Sequence, residues 1–498
     1  MNKIMNPNAR FRLVKCLVLA ILVFFVIPAM PAQANWNNTS FVHRNNQQIL
    51  DGQNTAIKLD GVNLGGWLMW EGWIWGGGFT AEKTIYNNMQ TVLGTAGANT
   101  FRDSIHQHFI SRDDIRKISD ECFNVVRIPF NHTLLEDDFN PYVYKPAGWA
   151  VLDSILAWCE DYNVYAILDL HSAPGGQSNS FTADPDFIIT LWNGAVNKNR
   201  TKRLWKAIAD RYKNRGIIAG YDLLNEPDVA SDSTMLTLYN GIIDSVRTVD
   251  TNHMIFIEGN TYATDFTMFS ALPDQNMCFQ FHFYTWFFPN SIATHLNDYT
   301  LLSNTLNVPV WCGEWGENNL VQLDTTLALL NDPAFKVSGN AIWTWKKMKY
   351  ENSYPFYNGM DTTLEWNKSI NWISNTSQPQ PTVSEMQTGI TDFLINSRVQ
   401  NCTFGTTLSD LVKICTPNGL ETVSSNEMIR IYPNPFSGNF VLQHENQNEF
   451  YEMVDGTGQL IYSGWEIMSQ DFSALPAGLY FLKISSPGVN KTIKMIKQ

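Results

Sequence analysis

Eight short apolar runs, mostly alternating with stretches of helical periodicity, limit what this chain can fold into. They fall at residues 57–66, 123–129, 164–171, 218–227, 254–260, 277–284, 308–316 and 340–345. Helical spacing lies at residues 111–121, 149–162, 201–213, 234–249, 295–306 and 323–330, with a further stretch at 384–396. Ser111 ahead of Asp113 and Asp114 is a helix start. Strands apolar on successive residues are buried on both faces, as in a parallel sheet covered by helices. Eight such strands in alternation with helices predict an α/β fold, a (β/α)8 TIM barrel.

The polar residues within these runs cluster at their C-terminal ends: Arg127, His171, Asn225-Glu226, His282 and Tyr284, Glu314, and Trp343 or Trp345. Parallel barrels place their chemistry at that end of the strands. Two glutamates on two strand ends suit the hydrolysis of a glycosidic bond, where one carboxylic acid protonates the leaving oxygen and a second carboxylate attacks. Glu226 suits the acid, with Asn225 beside it for a sugar hydroxyl. Glu314 suits the nucleophile. A nucleophile must stay ionised, so Arg127 is expected to hold its pKa down. His282 is assigned to Glu226 and Tyr284 to Glu314. A structural ion pair for Arg127, satisfied core groups for His282 and Tyr284, and core packing for either tryptophan are the competing readings. Glu71, Asp169 and Glu258 also sit near strand ends, and Glu258 is the main rival acid. It lacks an adjacent Asn and is read as supporting. His106 and His108 make a poor metal pattern at i, i+2. No metal and no cofactor are expected.

Seventeen tryptophans and a 13% aromatic content favour a ligand with flat apolar faces, such as sugar rings. Trp67, Trp70, Trp73 and Trp75, mixed with Gly76–Gly78, read either as a sugar platform or as a core cluster capping the barrel. A net charge of −13 disfavours nucleic acid and anionic membranes as partners. Arg10, Arg12 and Lys15 precede an apolar run at 16–27 and the small-residue site Ala32-Gln33-Ala34. This predicts a signal peptide over 1–34, cleaved after Ala34, and no membrane span in the mature chain. Export permits disulfides, and Cys402 with Cys415 is the expected pair; Cys278 and Cys312 are read equally well as buried thiols.

The expected domains are the barrel over 35–400, a polar linker or cap over 401–427 and a small all-β sandwich over 428–498. Short alternating strands separated by Pro433-Asn-Pro435, Asp455-Gly456 and Pro476-Ala-Gly478 carry that last reading. Trp465 is the main aromatic that would favour a carbohydrate-binding sandwich there.

Taken together, the motifs resemble a known group. Gly61-Val-Asn-Leu-Gly-Gly-Trp-Leu68, Val126-Arg-Ile-Pro129, Asp169-Leu-His-Ser-Ala-Pro-Gly-Gly-Gln177, Leu224-Asn-Glu-Pro227, His282-Phe-Tyr284, Gly313-Glu-Trp315 and Trp343-Thr-Trp-Lys346 look like family-5 glycoside hydrolases of clan A. The resemblance implies a retaining double displacement with Glu226 as acid/base and Glu314 as nucleophile. It also implies active-site places for Arg127, His171, Asn225, His282 and Tyr284, and favours Trp343 over Trp345. The first and third motifs look most like the exo-β-1,3-glucanase branch. The expected substrate is therefore a β-glucan, β-1,3-linked, with an endo-β-1,4-glucanase, a mannanase or a non-catalytic carbohydrate-binding surface protein as alternatives. Tyr432-Pro-Asn-Pro-Phe-Ser-Gly438, Leu475-Pro-Ala-Gly-Leu-Tyr-Phe481 and the basic end Lys491 to Lys497 resemble the C-terminal sorting domain of type IX secretion. That resemblance implies a secreted or cell-surface protein whose tail engages the type IX machinery.

Overall fold

Strands that are apolar on both faces need cover on both, and the chain provides it by closing its sheet. The computed structural model describes residues 40–185, 188–287, 292–349, 355–412, 430–432, 436–443, 449–455, 459–486 and 489–497. The leader at 1–34, Cys415 and Pro433-Asn-Pro435 lie outside them. Eight parallel strands form a closed barrel: β1 (Gly61–Asn63), β2 (Val125–Asn131), β3 (Tyr165–Ser172), β4 (Ile218–Asp222), β5 (Met254–Glu258), β6 (Met277–Phe283), β7 (Val310–Trp315) and β8 (Val337–Ile342). Each pairs with the next, and β8 returns to β1 with Ala341 opposite Gly61.

The helices are α1 (Glu82–His108), α2 (Arg112–Asp120), α3 (Pro146–Tyr162), α4 (Ala195–Tyr212), α5 (Asp232–Arg247), α6 (Ile292–Leu306), α7 (Leu320–Leu330), α8 (Leu364–Ser374) and α9 (Val383–Asn396). Sequence periodicity does not reveal α1. Its buried residues run Ile85 and Met89, then Ala98, Phe101 and Ile105, and Gly94 between them has φ 70 and ψ 170. That glycine breaks the helical register, so no single apolar stripe spans the segment. Its C-terminal end carries His106 and His108, which are therefore helical rather than in a loop.

The barrel interior is layered, and the layering positions the site. Leu59, Val125, Ile167, Ala219, Met254, Phe256, Cys278, Trp311 and Ala341 form an apolar cluster of their own, joined by Val42 and Ile49. Val42 precedes and Ile49 lies within a hairpin of short N-terminal strands, His43–Asn45 and Gln48–Leu50. They close the N-terminal end of the barrel. Further along the same strands the inward residues turn polar: Asn63, Arg127, Asp169, Asp222, Glu258 and Gln280, all 0% exposed. The outward residues, such as Val126, Ile128, Leu168, Leu170, Ile255 and Phe279, pack under the helices.

The tryptophan-rich segment after β1 is mostly core. Trp67, Trp70 and Trp75 are fully buried, and Trp75 packs against Phe101, Trp366 and Phe393. The platform reading fails for these three, because burying such large apolar rings outweighs exposing them.

One further expectation is corrected. Cys402 is a free thiol, held near the carbonyls of Asn396 and Arg398, whereas Cys122 is disulfide-bonded. Proximity in sequence misled here, because disulfides require matched Cβ geometry rather than short separation. Residues 403–412 pack on the barrel unit, as a cap would. Thr403–Phe404 pairs with Asn358–Met360, and the helix at Thr406–Val412 buries Leu408 and Val412 on the barrel unit.

The chain divides into two units, Met1–Cys415 and Thr416–Gln498. The second holds β9 (Arg430–Tyr432), β10 (Val441–Gln443), β11 (Phe450–Asp455), β12 (Leu460–Gly464), β13 (Gly478–Ser486) and β14 (Val489–Lys497). They form a two-stranded and a four-stranded antiparallel sheet, in the order β12-β11-β13-β14 for the latter. Phe436, Phe440, Met453, Leu482, Ile484 and Met495 belong to a shared core. Among the described residues, no helix is long and apolar enough to cross a membrane.

Candidate active site

The end of β4 sets the geometry. After Asp222 the chain leaves the sheet, and Glu226 sits at φ 45, in the left-handed region. A non-glycine residue there costs about 1–3 kcal/mol and persists only when its surroundings hold it. The Glu226 N–H donates to Glu258 Oε2 at 2.6 Å, and Pro227 follows. The Glu226 carboxylate receives His282 Nδ1 at 2.9 Å on Oε1 and the Thr182 hydroxyl at 3.3 Å on Oε2. Asn225 accepts Arg127 Nη2 at 2.8 Å through Oδ1. Its Nδ2 is buried with no partner, an N–H donor that only a ligand or water would satisfy.

Arg127 is the hub beneath. It lies 3.0 Å from Asp169, 2.9 Å from Asp222, 3.0 Å from Glu258 and 3.2 Å from Glu314, and also donates to Asn63 at 3.1 Å. One cation does not balance four buried carboxylates, so protons must. Burial, with the Glu258 charge, raises Asp222 well above the carboxylate range. Burial pushes Asp169 up to about 8 despite Arg127. Burial acts upward on Glu258 too, but His282 and Arg127 outweigh it and hold Glu258 below its ordinary value. His282 is raised: burial opposes its charge, and Glu258 and Glu314 overcome that cost. Its Nε2 lies 3.2 Å from Glu258 Oε1. Burial thus favours the protonated forms of Asp169 and Asp222, while Arg127 and His282 favour the carboxylate form of Glu258.

Glu314 ends β7. Gly313 before it allows the close approach of Gln280, whose side chain would lie 2.2 Å from an added Cβ. Gln280 Nε2 in turn donates to Asp222 and Glu258. Tyr284 donates its hydroxyl to Glu314 Oε1 at 2.6 Å, while Arg127 Nη1 donates to Oε2. One oxygen of Glu226, one of Glu314 and a ring nitrogen of His282 lie within 4.8 Å of one another. These are the donor atoms a metal ion would meet in the pocket, and they belong to the candidate catalytic groups themselves.

The Glu314 carboxyl sits above its ordinary value. Burial raises it, His282 lowers it, Glu226 raises it and Arg127 lowers it. The expectation that Arg127 would hold it below the ordinary value is therefore corrected: the guanidinium is shared among four carboxylates, and burial prevails. A group that must be ionised and has a raised pKa loses its working form as pH falls through that raised value. The acidic limb of kcat/KM is expected above the range of a free glutamate, near 4.3. Tyr284→Phe removes a hydrogen bond that favours the carboxylate, so the limb should move to still higher pH. A pH profile of wild type and variant checks both; an unmoved limb in the variant would count against this role for Tyr284.

The pocket wall is aromatic and acidic. His171 stacks on Trp343 with centroids 5.5 Å apart and an interplanar angle of 11°. Burial and Arg127 lower His171 to about 4, so its ring is neutral, and Nδ1 is 2.7 Å from Asp169. Trp345 is instead buried, donates to Asp114 and stacks on Tyr357, away from the site. Glu71 Oε1 lies 3.8 Å from His171 Nε2, and Trp73 donates to Glu71 Oε2. Burial, reinforced by Glu314, pushes Glu71 up to about 8. Of the four tryptophans after β1, Trp73 alone reaches this wall.

The structure thus gathers Glu226, Glu314, Arg127, His171, Asn225, His282, Tyr284 and Trp343 at one barrel end. Glu258, the rival acid, lies beneath, bound to Arg127, Gln280 and the Glu226 N–H. Sequence reading missed Asn63, Thr182, Asp222 and Gln280. The available signal for three of them was a polar residue inside an otherwise apolar strand. Thr182 gives none, since it lies in a polar loop.

The profile of the family described as Cellulase (glycosyl hydrolase family 5) matches residues 58–349, more than half of the chain. That of the Secretion system C-terminal sorting domain matches residues 430–498. The chain is 32% identical over 243 residues to a beta-xylosidase of Phanerodontia chrysosporium, covering 48% of this chain and 51% of that protein. It is 31% identical to endoglucanase C of Acetivibrio thermocellus, covering 39% and 56%. To a probable glucan 1,3-beta-glucosidase A of Aspergillus fumigatus it is 29% identical, covering 41% and 50%. The chain spans about half the length of the curated relatives it matches.

Proposed function

Because the chain belongs to glycosyl hydrolase family 5, we propose that it is an exported retaining β-glycosidase acting on a β-glucan, β-1,3-linked by preference. The observation that carries this is the close approach of the Glu226 and Glu314 carboxylates, with oxygens within 4.8 Å. Retaining enzymes hold their two carboxyl groups about 5–5.5 Å apart, and inverting enzymes hold them farther apart to admit a water between.

In this mechanism Glu226 gives its proton to the glycosidic oxygen while Glu314 attacks the anomeric carbon. The C–O bond to the leaving sugar breaks and an ester to Glu314 forms. Glu226, now a carboxylate, takes a proton from the water that attacks the same carbon, and Glu314 is released. Tyr284 and Arg127 orient the two Glu314 oxygens. His282, whose Nδ1 lies 2.9 Å from Glu226 Oε1, orients the Glu226 carboxyl toward the glycosidic oxygen. The unpartnered Asn225 Nδ2 faces a sugar hydroxyl near the reacting carbon, and Trp343, backed by His171, stacks under the reacting ring.

The sorting domain at 430–498 supports export to the surface or medium through the type IX machinery. The likeness to a glucan 1,3-beta-glucosidase supports the β-1,3 preference, and the likeness to an endoglucanase supports a β-1,4-glucanase as the second reading. Purified protein offered β-1,3-, β-1,4- and β-1,6-glucans and mannan is expected to release sugar fastest from the β-1,3-glucan. Activity confined to the β-1,4 polymer would keep the mechanism and replace the substrate.

A further inference from the structure

Glu258 ends β5 with a carboxylate closed off from the pocket. It is 0% exposed, and both of its oxygens are engaged. Arg127 Nη2 and Gln280 Nε2 donate to Oε1 at 3.0 and 2.7 Å, and His282 Nε2 lies 3.2 Å from the same oxygen. The Glu226 N–H donates to Oε2 at 2.6 Å. Tyr239, from α5, donates its hydroxyl to the Glu258 carbonyl at 2.9 Å and fixes the residue from behind. Against the upward push of burial, His282 and Arg127 hold the carboxyl below its ordinary value. A group so enclosed and so held is a poor proton donor to a ligand.

Charge balance does not account for it either. Arg127 already meets Asp169, Asp222 and Glu314, and a further buried carboxylate adds to an excess. The contacts of Glu258 lead instead to the acid, by two routes.

The first route is the backbone. Glu226 sits at φ 45, and the Asn225–Glu226 peptide is gripped at both ends. Gln177 Nε2 donates to the Asn225 carbonyl at 2.8 Å, and the Glu226 N–H gives to Glu258. A hydrogen bond to a carboxylate is shorter and stronger than one to a neutral acceptor, which suits the holding of a left-handed residue. The second route is a side chain. The His282 ring that stands against Glu258 presents Nδ1 to Glu226 Oε1 at 2.9 Å. One buried group thus reaches both the backbone and the carboxyl of Glu226.

We infer that Glu258 is a positioning residue for the acid: it holds the Glu226 backbone in its left-handed turn and the His282 ring against the Glu226 carboxyl, so that the proton is aimed at the leaving oxygen. This inference rests on the glycosidase reading above, with Glu226 as the acid.

A misplaced acid matters in proportion to how much the leaving group needs its proton. Full-length wild type and Glu258→Gln would be compared on aryl β-laminaribiosides and β-cellobiosides carrying phenol or 2,4-dinitrophenol, with kcat/KM reporting the step that breaks the glycosidic bond. Glutamine offers a single acceptor oxygen where Arg127, Gln280 and the Glu226 N–H all donate. It therefore leaves a donor facing a donor on one side or the other. The phenyl glycoside is expected to lose about 10²-fold in kcat/KM, the cost of a small misplacement, and the dinitrophenyl glycoside no more than about threefold. In a Glu226→Gln background, adding Glu258→Gln should cost less than about twofold, since Glu258 then has no acid to place. Glu258→Asp keeps a charge beside Arg127 but draws the carboxylate back by one methylene. It should show the same leaving-group selectivity, and it replaces Glu258→Gln in the comparison if that variant folds poorly.

Equal losses on the two leaving groups, or no loss on either, would overturn the positioning role while leaving the glycosidase reading intact. So would a full second loss in the Glu226→Gln background, the result expected of Glu258 as the acid itself or as a structural prop. A wild type that cleaves none of these glycosides would overturn the glycosidase reading, and this role with it.

Discussion

Glu314→Ala is expected to lower kcat on every substrate the protein cleaves by at least about 10⁴-fold, since removing the attacking group of a concerted site costs several orders of magnitude. The loss should appear in kcat rather than KM, because the proposed nucleophile acts in the transition state and the sugar contacts proposed for Trp343 and Asn225 are left in place. The fold should survive. Glu314 is at the pocket floor rather than in the apolar layer, and alanine removes a carboxylate from a cluster that carries an excess of them. Its removal leaves Arg127 with Asp169, Asp222 and Glu258. Adding azide to the variant is expected to restore turnover of an activated aryl glycoside and to yield the α-glycosyl azide, as the small anion enters where Glu314 stood. Retention of more than a few per cent of activity without azide would mean that Glu314 is not the nucleophile. Glu258, the other candidate acid, would then be the residue to replace.

The second large effect falls on stability. Arg127→Ala should cost about 3–5 kcal/mol, the range for removing one partner of a buried ion pair. Here the effect lies at the upper end, because the guanidinium serves four carboxylates at once. Activity should fall as well, since Glu314 Oε2 and Asn225 Oδ1 lose their shared donor. The deficit has a sign in pH. Asp169 and Asp222 are raised in the folded state, so the folded protein binds protons that the unfolded chain does not. Such groups contribute stability below the unfolded carboxylate pKa and lose it as pH rises through the folded value. Removing the cation raises both further. The variant is therefore expected to be weakest at alkaline pH and to recover part of its deficit toward pH 5. Urea unfolding followed by tryptophan fluorescence at several pH values measures this. A deficit below about 1 kcal/mol, or one that grows toward acid, would refute the view of Arg127 as the cation these four carboxylates share.

The order of the chain determined the barrel and its catalytic candidates. Runs such as 164–171 and 277–284 are mostly apolar, interrupted by Asp169 and Gln280 before their polar or aromatic ends, and a strand of that kind has few places to go other than a covered parallel sheet. His171, Asn225-Glu226 and Glu314 then follow from strand direction alone, since all parallel strands end on the same side. Even the choice between Trp343 and Trp345 was legible only through the matched motif. β8 ends at Ile342, and the direction of each ring beyond a strand end is not a matter of periodicity.

Tertiary structure decided what depends on distance across the barrel. The shared service of Arg127 to four carboxylates and the raised Glu314, Asp169 and Asp222 arise because residues far apart in the chain converge in the buried barrel interior. α1 escaped reading because Gly94 breaks its register. Cys402 was paired wrongly because chain proximity does not set Cβ geometry. Sequence carries the local signals, periodicity and strand ends. Burial, which sets both pKa values and the fate of Trp67, Trp70 and Trp75, is a property of the closed sheet as a whole.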